Sequence, residues 1–271
     1  MILDFIKLEY LKYKKNSVVT MLVGFYFLFF PFVIFFGQEL KVNLPDFIPN
    51  KNVFFEFPTV WDYFGYAGSW LVFFFLGVSV IYMTCMEVTN KTMRQSILNG
   101  FSRKDFFISK FSSAVIIAIA ATVYFALISL LVGYLNTENL MFEDVFDNQY
   151  AITRYFLMCM GYFCFALFLA FIIRKSGLAI FLYLSYIMII EPLIRWAGHM
   201  YMFKHESAMW YPMNAVEDLI PMPLWRFSEA LPEQDIPFDF LLTYKFAGGL
   251  TILFSSLFIF IAYRSFSRRD I

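Results

Sequence analysis

The chain has few residues whose type and spacing could support chemistry. Its two histidines, His199 and His205, lie close to the acid Glu206, and imidazole and carboxylate groups are common zinc ligands. Their spacing matches no recognised metal motif. The sequence also has no H-E-x-x-H or G-x-S-x-G motif and no paired acids within one apolar run. We therefore predict that the chain holds no metal and is not an enzyme.

Three other ionisable residues lie at the ends of apolar runs, where a charged group is a candidate for function. Glu87 is either a gate residue or an interfacial residue that pairs with Lys91 four positions later. Glu191 and Arg195 are also four apart and flank Pro192. They form either a local ion pair beside a helix break or a gate that contacts substrate.

The elements that position these residues are apolar helices. Of the 271 residues, 61% are hydrophobic and only 15% are charged, and a soluble domain has about 25% charged residues. The excess lies in blocks near the length of about 20 residues that crosses a bilayer. We predict an all-α integral membrane protein, a single domain over residues 1–271 with six spans, at about 18–36, 66–86, 111–135, 155–173, 178–196 and 246–263.

Residues 2–15 alternate apolar and charged side chains with helical spacing, which predicts an amphipathic helix in the membrane plane; the alternative is a plain charged tail. The connector at 197–241 is too apolar for a simple loop. It predicts short helices that dip into the membrane, including Asn214–Ile220 between Pro212 and Pro221. Here the alternative is an amphipathic loop on the surface. Cys85, Cys159 and Cys164 all lie in apolar blocks and are predicted to be buried thiols.

Most of the 21 Lys and Arg residues lie in connectors on one side of the predicted membrane, together with both termini. Because positive charge accumulates on the cytoplasmic side, we predict that both termini are cytoplasmic. The formal net charge is zero, so the whole chain points to no acidic or basic partner, and we expect no nucleic acid.

The stretch "EVTNKTMRQSILNGFSRKDFFISK" (87–110) lies on that cytoplasmic side and is unusually polar. Thr92 can cap a helix in which Met93, Ile97 and Phe101 share an apolar face. Gly100 can end this helix in a left-handed conformation. Ser102 can then cap the next helix, with Asp105 three residues later. A short helix with a free polar face, held between two spans, suits docking onto a cytoplasmic partner.

The same stretch resembles the coupling-helix region of type-2 ABC exporter permeases from bacteria. The matching pattern is a Glu, then T-x-R-Q, then G-x-S-R, then a Lys that opens the third span, and it falls on Glu87, Thr92, Arg94, Gln95, Gly100, Ser102, Arg103 and Lys110. The resemblance implies a coupling helix at 92–101 that contacts an ATPase through Thr92, Arg94, Gln95, Ile97, Leu98, Asn99, Gly100, Ser102 and Arg103. It also implies two permeases, alike or homologous, and two ATPase subunits in the bacterial cytoplasmic (inner) membrane.

The chain has no G-x-x-x-x-G-K-[ST] phosphate loop, so ATP and Mg are expected on the partner ATPase, with no cofactor in this chain. The uncharged spans favour a hydrophobic or amphipathic cargo. Two other functions stay open: an ABC-like scaffold or sensor that does mechanical or regulatory work, and an ion-coupled secondary transporter. The second would need titratable groups within its spans, and the sequence shows apolar ones.

Overall fold

The computed structural model describes residues 9, 11–39, 51–98, 100–139, 141–223 and 241–268. Within these ranges the secondary structure is helical and no strand occurs. The helices, in chain order, are α1 (Ser17–Glu39), α2 (Thr59–Thr89), α3 (Thr92–Leu98), α4 (Arg103–Asn136), α5 (Phe142–Phe146), α6 (Tyr150–Ile173), α7 (Ser176–Phe203), α8 (Pro212–Glu217) and α9 (Tyr244–Arg268).

The all-α membrane fold predicted from the sequence is confirmed. Five of the described helical stretches are long and apolar enough to cross a membrane: Thr59–Thr89, Arg103–Asn136, Phe142–Ile173, Ser176–Phe203 and Tyr244–Arg268. The first predicted span falls in α1, in which Ser17–Val33 is also an apolar helix. Several helices extend beyond the predicted runs, because hydropathy marks the apolar part of a helix while backbone hydrogen bonds continue into its polar ends.

The core of the protein is formed around α2 and α6. In the most apolar stretch of each of these two helices, 61% and 67% of the residues are buried inside the protein. The corresponding shares are 22% for α7 and 17% for α9. Aromatic side chains fill the centre: the Phe125 and Tyr155 rings stack at 4.2 Å, and the Tyr26 and Tyr155 hydroxyls lie 2.9 Å apart. The three cysteines are buried, as predicted. Helices α7 and α9 thus leave apolar faces that the described residues do not cover.

Helix α7 passes through Pro192, so the predicted helix break beside Glu191 is wrong. The helix continues past Trp196, where the fifth span was expected to end, as far as Phe203. Wide π-helical turns lie on both sides of the proline, at Tyr186–Ile190 and Ile194–Met200. Wider turns are one way in which a helix accommodates a residue that cannot donate a backbone hydrogen bond.

The segment after α7 folds back into the protein. Its helix spans Pro212–Glu217 rather than the predicted Asn214–Ile220, with Pro212 as its first residue, where a missing N–H costs nothing. Val216 and Ile220 are buried against glycines: a Cβ added at Gly161 would lie 2.5 Å from Val216, and one at Gly65 would lie 2.7 Å from Ile220. Residues 224–240 of the predicted dipping segment, and residues 2–8 and 10 of the predicted amphipathic N-terminal helix, lie outside the described residues.

Candidate functional site

Helix α3 is the short helix predicted between the second and third apolar runs, and it lies between α2 and α4. The predicted apolar face is present: Met93 is buried, and Ile97 and Phe101 are half-buried. The helix is therefore anchored by one side. Asn99, predicted to lie on its polar face, is outside the described residues.

The end of α3 is set by glycine, as the sequence predicted. Gly100 has a φ of +100°, which an L side chain rarely adopts. The Gly100 N–H donates to the Ile97 carbonyl at 3.1 Å and the Phe101 N–H donates to the Ser96 carbonyl at 3.1 Å. This pair of bonds is the Schellman motif, in which a left-handed residue ends a helix and reverses the chain.

Helix α4 begins with the predicted capping box. The Ser102 hydroxyl oxygen accepts from the Asp105 N–H, and the Asp105 carboxylate accepts from the Ser102 N–H, both at 3.1 Å. The predicted cap at Thr92 is wrong, because Thr92 is the first residue of α3 itself. Its hydroxyl instead donates to the carbonyl of Glu87 at 3.2 Å, which ties α3 back to the end of α2.

The face of α3 that points away from the core is exposed and mixed in character. Thr92, Arg94 and Gln95 are exposed, and Leu98 is an exposed apolar residue with 78% of its surface accessible. On the C-terminal side, the Arg103 guanidinium donates to the Ser267 carbonyl at 2.7 Å, near the end of α9. The exit from α3 is thereby connected to the last helix of the chain.

Directly behind α3 lies a buried group of charges that we call the Lys110 cluster: Glu9, Lys12, Tyr13, Glu87 and Lys110. The Lys110 ammonium forms an ion pair with Glu87 and another with Glu9 at 2.5 Å. Its side chain is 1% exposed. The Tyr13 hydroxyl donates to Glu87 at 2.5 Å and accepts from Lys110 at 2.8 Å.

The Lys110 cluster joins three parts of the chain that are distant in sequence: the N-terminal segment, the end of α2 and the start of α4. Glu87 pairs with Lys110 and, at 3.2 Å, with Lys12, so the predicted pairing with Lys91 is wrong. Lys91 is exposed, with a φ of +58° that turns its backbone away from the helix. Two acids and two lysines leave the cluster balanced in charge.

The charges in the Lys110 cluster also affect the titration of Glu9, which precedes the first span. Burial by itself would raise the pKa of this carboxyl group, but the nearby ammonium groups of Lys110 and Lys12 outweigh burial and lower its pKa below 4.5. Glu9 is thus held in its charged form, and the cluster is a set of ion pairs at neutral pH.

A second buried group, which we call the Arg154 cluster, lies toward the other ends of α2 and α6. The Arg154 guanidinium lies 3.5 Å from the Asp62 carboxylate and donates to Asn148 and, at 3.1 Å, to the Leu219 carbonyl. It also stacks 3.8 Å from the centre of the Tyr244 ring. The cluster ties the segment after α7 and the start of α9 to the two core helices.

Glu191 and Arg195 do not form the ion pair considered for them. Glu191 is 2% exposed and accepts from the backbone N–H of Asn214 at 2.7 Å, and no nitrogen of Arg195 lies within 4.0 Å of its carboxylate. The Arg195 Nε is buried without a hydrogen-bond partner among the described residues. Glu191 therefore holds the start of α8 against α7, while Arg195 lines a cavity with Trp196.

The residues considered as metal ligands are occupied by other contacts. His199 lies 3.0 Å from the Ser207 hydroxyl and 3.2 Å from the Tyr211 hydroxyl, and His205 lies 2.9 Å from the same Ser207 hydroxyl. These contacts fasten the turn after α7 to the end of that helix. No group of three or more His, Cys, Asp or Glu side chains suited to a metal occurs in the described part of the chain.

Most of the predicted site residues of α3 and its exit turn form one exposed ridge: Thr92, Arg94, Gln95, Leu98, Gly100 and Ser102. Ile97 and Arg103 are half-buried, and Glu87 lies in the buried Lys110 cluster. Glu191 and Arg195 lie elsewhere, beside α8. Sequence reasoning missed Glu9, Lys12 and Arg154 as partners. The signal for them was available, because a Lys that opens an apolar run and an Arg just before one both need a counter-charge.

Comparison with known proteins agrees with this arrangement. A family model described as "ABC-2 family transporter protein" matches residues 5–190, which include the Lys110 cluster, α3 and the core helices. No curated protein matches the chain.

Proposed function

The chain belongs to the ABC-2 transporter family, and we propose that it is one permease subunit that couples to a separate ATPase in order to export a substrate. Membership makes it the membrane part of an ABC transporter and not the ATPase, since nucleotide binding in this family lies in a separate ATPase subunit. It also implies an ABC ATPase partner and a lipid bilayer. The coupling, the copy numbers and the cargo are our proposals.

We propose that α3 is the coupling helix and binds a groove on the ATPase. The observation that carries this assignment is the exposed ridge, on which Leu98 stands with Arg94 and Gln95 although it is apolar. The opposite face of this short helix is anchored by the buried Met93, so the ridge is presented outward to a partner. The full proposed contact comprises Thr92, Arg94, Gln95, Ile97, Leu98, Asn99, Gly100, Ser102 and Arg103.

The Lys110 cluster gives α3 a rigid connection to the spans. A movement of α3 is passed to α2 through the Thr92–Glu87 bond and to α4 through the capping box. The cluster then holds the ends of α2 and α4 together with the N-terminal segment, so they respond as one unit. In this account Glu87 is a coupling residue that transmits motion, and substrate does not reach it.

The proposed assembly contains two permeases, identical or homologous, and two ATPase subunits in the bacterial cytoplasmic membrane. In the most apolar stretches of α4 and α9, only 33% and 17% of the residues are buried inside the described structure. These faces therefore support contact with a further protein or with lipid. We propose six spans, with α3 and both termini in the cytoplasm. The Arg154 cluster and the segment around α8 then lie on the outer side, where that segment forms a lid over the pathway.

Photo-crosslinking tests the coupling proposal. A benzophenone amino acid at Leu98 should crosslink to the ATPase, whereas the same probe at Phe142 should not. The two positions are matched, since they are 78% and 79% exposed, but Phe142 begins the helix before α6, at the end of the protein that carries the Arg154 cluster. Crosslinks to the ATPase from Phe142 and none from Leu98 would refute the assignment.

A further inference from the structure

A cavity of about 610 Å³ lies between α2, α6, α7 and the segment around α8. Such a volume is within the range of sites that hold drug-sized molecules, about 300–1,000 Å³. Aromatic side chains form much of its wall: Tyr66, Trp70, Phe73, Tyr162 and Trp196. The cavity thus suits a molecule with a sizeable apolar part.

Acidic residues outnumber basic residues on the polar part of the wall. Glu217 and Asp218 line the cavity, and Glu191 is a further charged neighbour, while Arg195 is the cation that offsets them. Asp218 is fixed by hydrogen bonds from the Asn214 side chain at 2.9 Å and from the Leu242 N–H at 3.1 Å. Two carboxyl groups and one guanidinium therefore line the cavity, with Glu191 close behind the wall.

Glu217 differs from Asp218 and Glu191 because it is half-buried and its carboxylate forms no hydrogen bond and no ion pair with any described residue. Burial raises the pKa of Glu217 to about 7, with Arg195 acting in the opposite direction. A half-buried carboxyl group with no partner in the protein can accept a counter-charge from a ligand in the cavity. Its place on the cavity wall indicates where that counter-charge would sit.

The backbone around the cavity is also unusual. Helices α2 and α7 both contribute residues to the wall from π-helical turns. In α2 the residue is Phe73, from the turn Val72–Gly77. In α7 they are Ile187 and Met188 from Tyr186–Ile190, and Arg195 and Trp196 from Ile194–Met200. Single π-helical turns occur frequently at functional sites, where the extra residue redirects side chains. Here they direct aromatic and apolar side chains into the same space.

We propose that this cavity binds an amphipathic molecule with a cationic group, with Glu217 as its counter-ion and the aromatic wall around its apolar part. Aromatic faces attract cations, so Trp70 and Trp196 favour the same ligand as the carboxylates do. This assignment gives the substrate class of the exporter and rests on the proposed function for that reason. Binding itself needs only the permease chain.

The test uses two probes of the same shape and opposite charge, tetraphenylphosphonium and tetraphenylborate. Their binding to the full-length chain, purified in a maltoside detergent, is measured at pH 8, where Glu217 is ionised. We expect saturable binding of the phosphonium and binding of the borate at least tenfold weaker. Glu217→Gln should weaken phosphonium binding about tenfold or more, and Glu206→Gln, at an exposed acid before the same segment, should leave it unchanged.

Equal affinity of wild type and Glu217→Gln for the phosphonium, or equal affinity of wild type for the two probes, would overturn the proposal. If Glu217→Gln does not fold, Trp70→Leu is the variant to test. Trp70 is 49% exposed, so its replacement should leave the chain folded but weaken phosphonium binding, and unchanged binding would overturn the proposal. Competition by phosphatidylethanolamine would assign the site to a lipid ammonium group, and its absence to a solute. Loss of ATPase crosslinking at Leu98 would leave these binding results unaffected, so the two proposals fail separately.

Discussion

Replacing Lys110 with Met should strongly destabilise the permease, because it removes the most buried charge of the Lys110 cluster. The lysine side chain is 1% exposed, and Glu87 and Glu9 beside it are 2% and 5% exposed. Removing one partner of a buried ion pair costs about 3–5 kcal/mol, since the other charge is left unpaired. Lys12 remains 3.2 Å from Glu87 and 3.0 Å from Glu9, so we expect the lower end, about 3 kcal/mol.

A loss of this size should lower the melting temperature by roughly 6–12 °C, at about 2–4 °C per kcal/mol for a chain of this order of length. Scanning fluorimetry of the purified protein in detergent measures the shift. Lys104→Met is the matched control, because Lys104 is an exposed lysine of the same helix and should shift the transition little.

The double variant Lys110→Met, Glu87→Gln isolates the pair. It leaves Glu9 with Lys12 as a charge-balanced pair, so it should cost less than the sum of the two single changes, by at least about 1 kcal/mol. Additive effects, or a shift below 2 °C for Lys110→Met, would refute the view that buried ion pairs hold this cluster together.

Three further predictions concern the coupling end of the chain. Gly100→Val should strain the left-handed turn by about 1–2 kcal/mol and release the ATPase while the chain stays in the membrane, which pull-down and membrane fractionation measure together; unchanged ATPase recovery would contradict it. Glu9→Gln should lower stability at pH 7 but not in acid. The lowered pKa means that the charged form contributes stability above pH 4.5 and that this contribution disappears as the pH falls through that pKa, so a melting difference independent of pH would count against the ion pairs. Cysteines at the exposed Lys91 and the half-buried Asp144 should react with an impermeant reagent from inside and outside sealed cells respectively, and labelling of position 91 from outside would refute the orientation.

The features that the sequence predicted correctly depend on residues close to one another. Long apolar runs identified the helices because spanning a bilayer sets a minimum length. Gly100 and the Ser102–Asp105 capping box were predictable because helix ends follow local backbone rules. Thr92 shows the limit of those rules, since its hydroxyl donates to the Glu87 carbonyl in the preceding helix and does not cap its own.

The features that the sequence did not predict depend on contacts between distant residues. Glu87 had an obvious local partner in Lys91, but α4 brings Lys110 to the same place, and burial makes that pairing dominant. Likewise Glu191 was expected beside Arg195, yet the folded-back segment supplies the Asn214 N–H instead. The boundaries of α8 and the course of α7 through Pro192 also follow from packing, which helical periodicity alone does not encode.

We propose that this permease is driven by a separate ATPase bound at α3. The most direct measurement is affinity purification of the tagged chain from its native membrane, with mass spectrometry of the proteins that accompany it. We expect an ATPase with a G-x-x-x-x-G-K-[ST] phosphate loop beside the wild-type chain, and its loss from the Arg94→Glu, Gly100→Val double variant. Recovery of no such ATPase with the wild type, or its undiminished recovery with the double variant, would contradict the account.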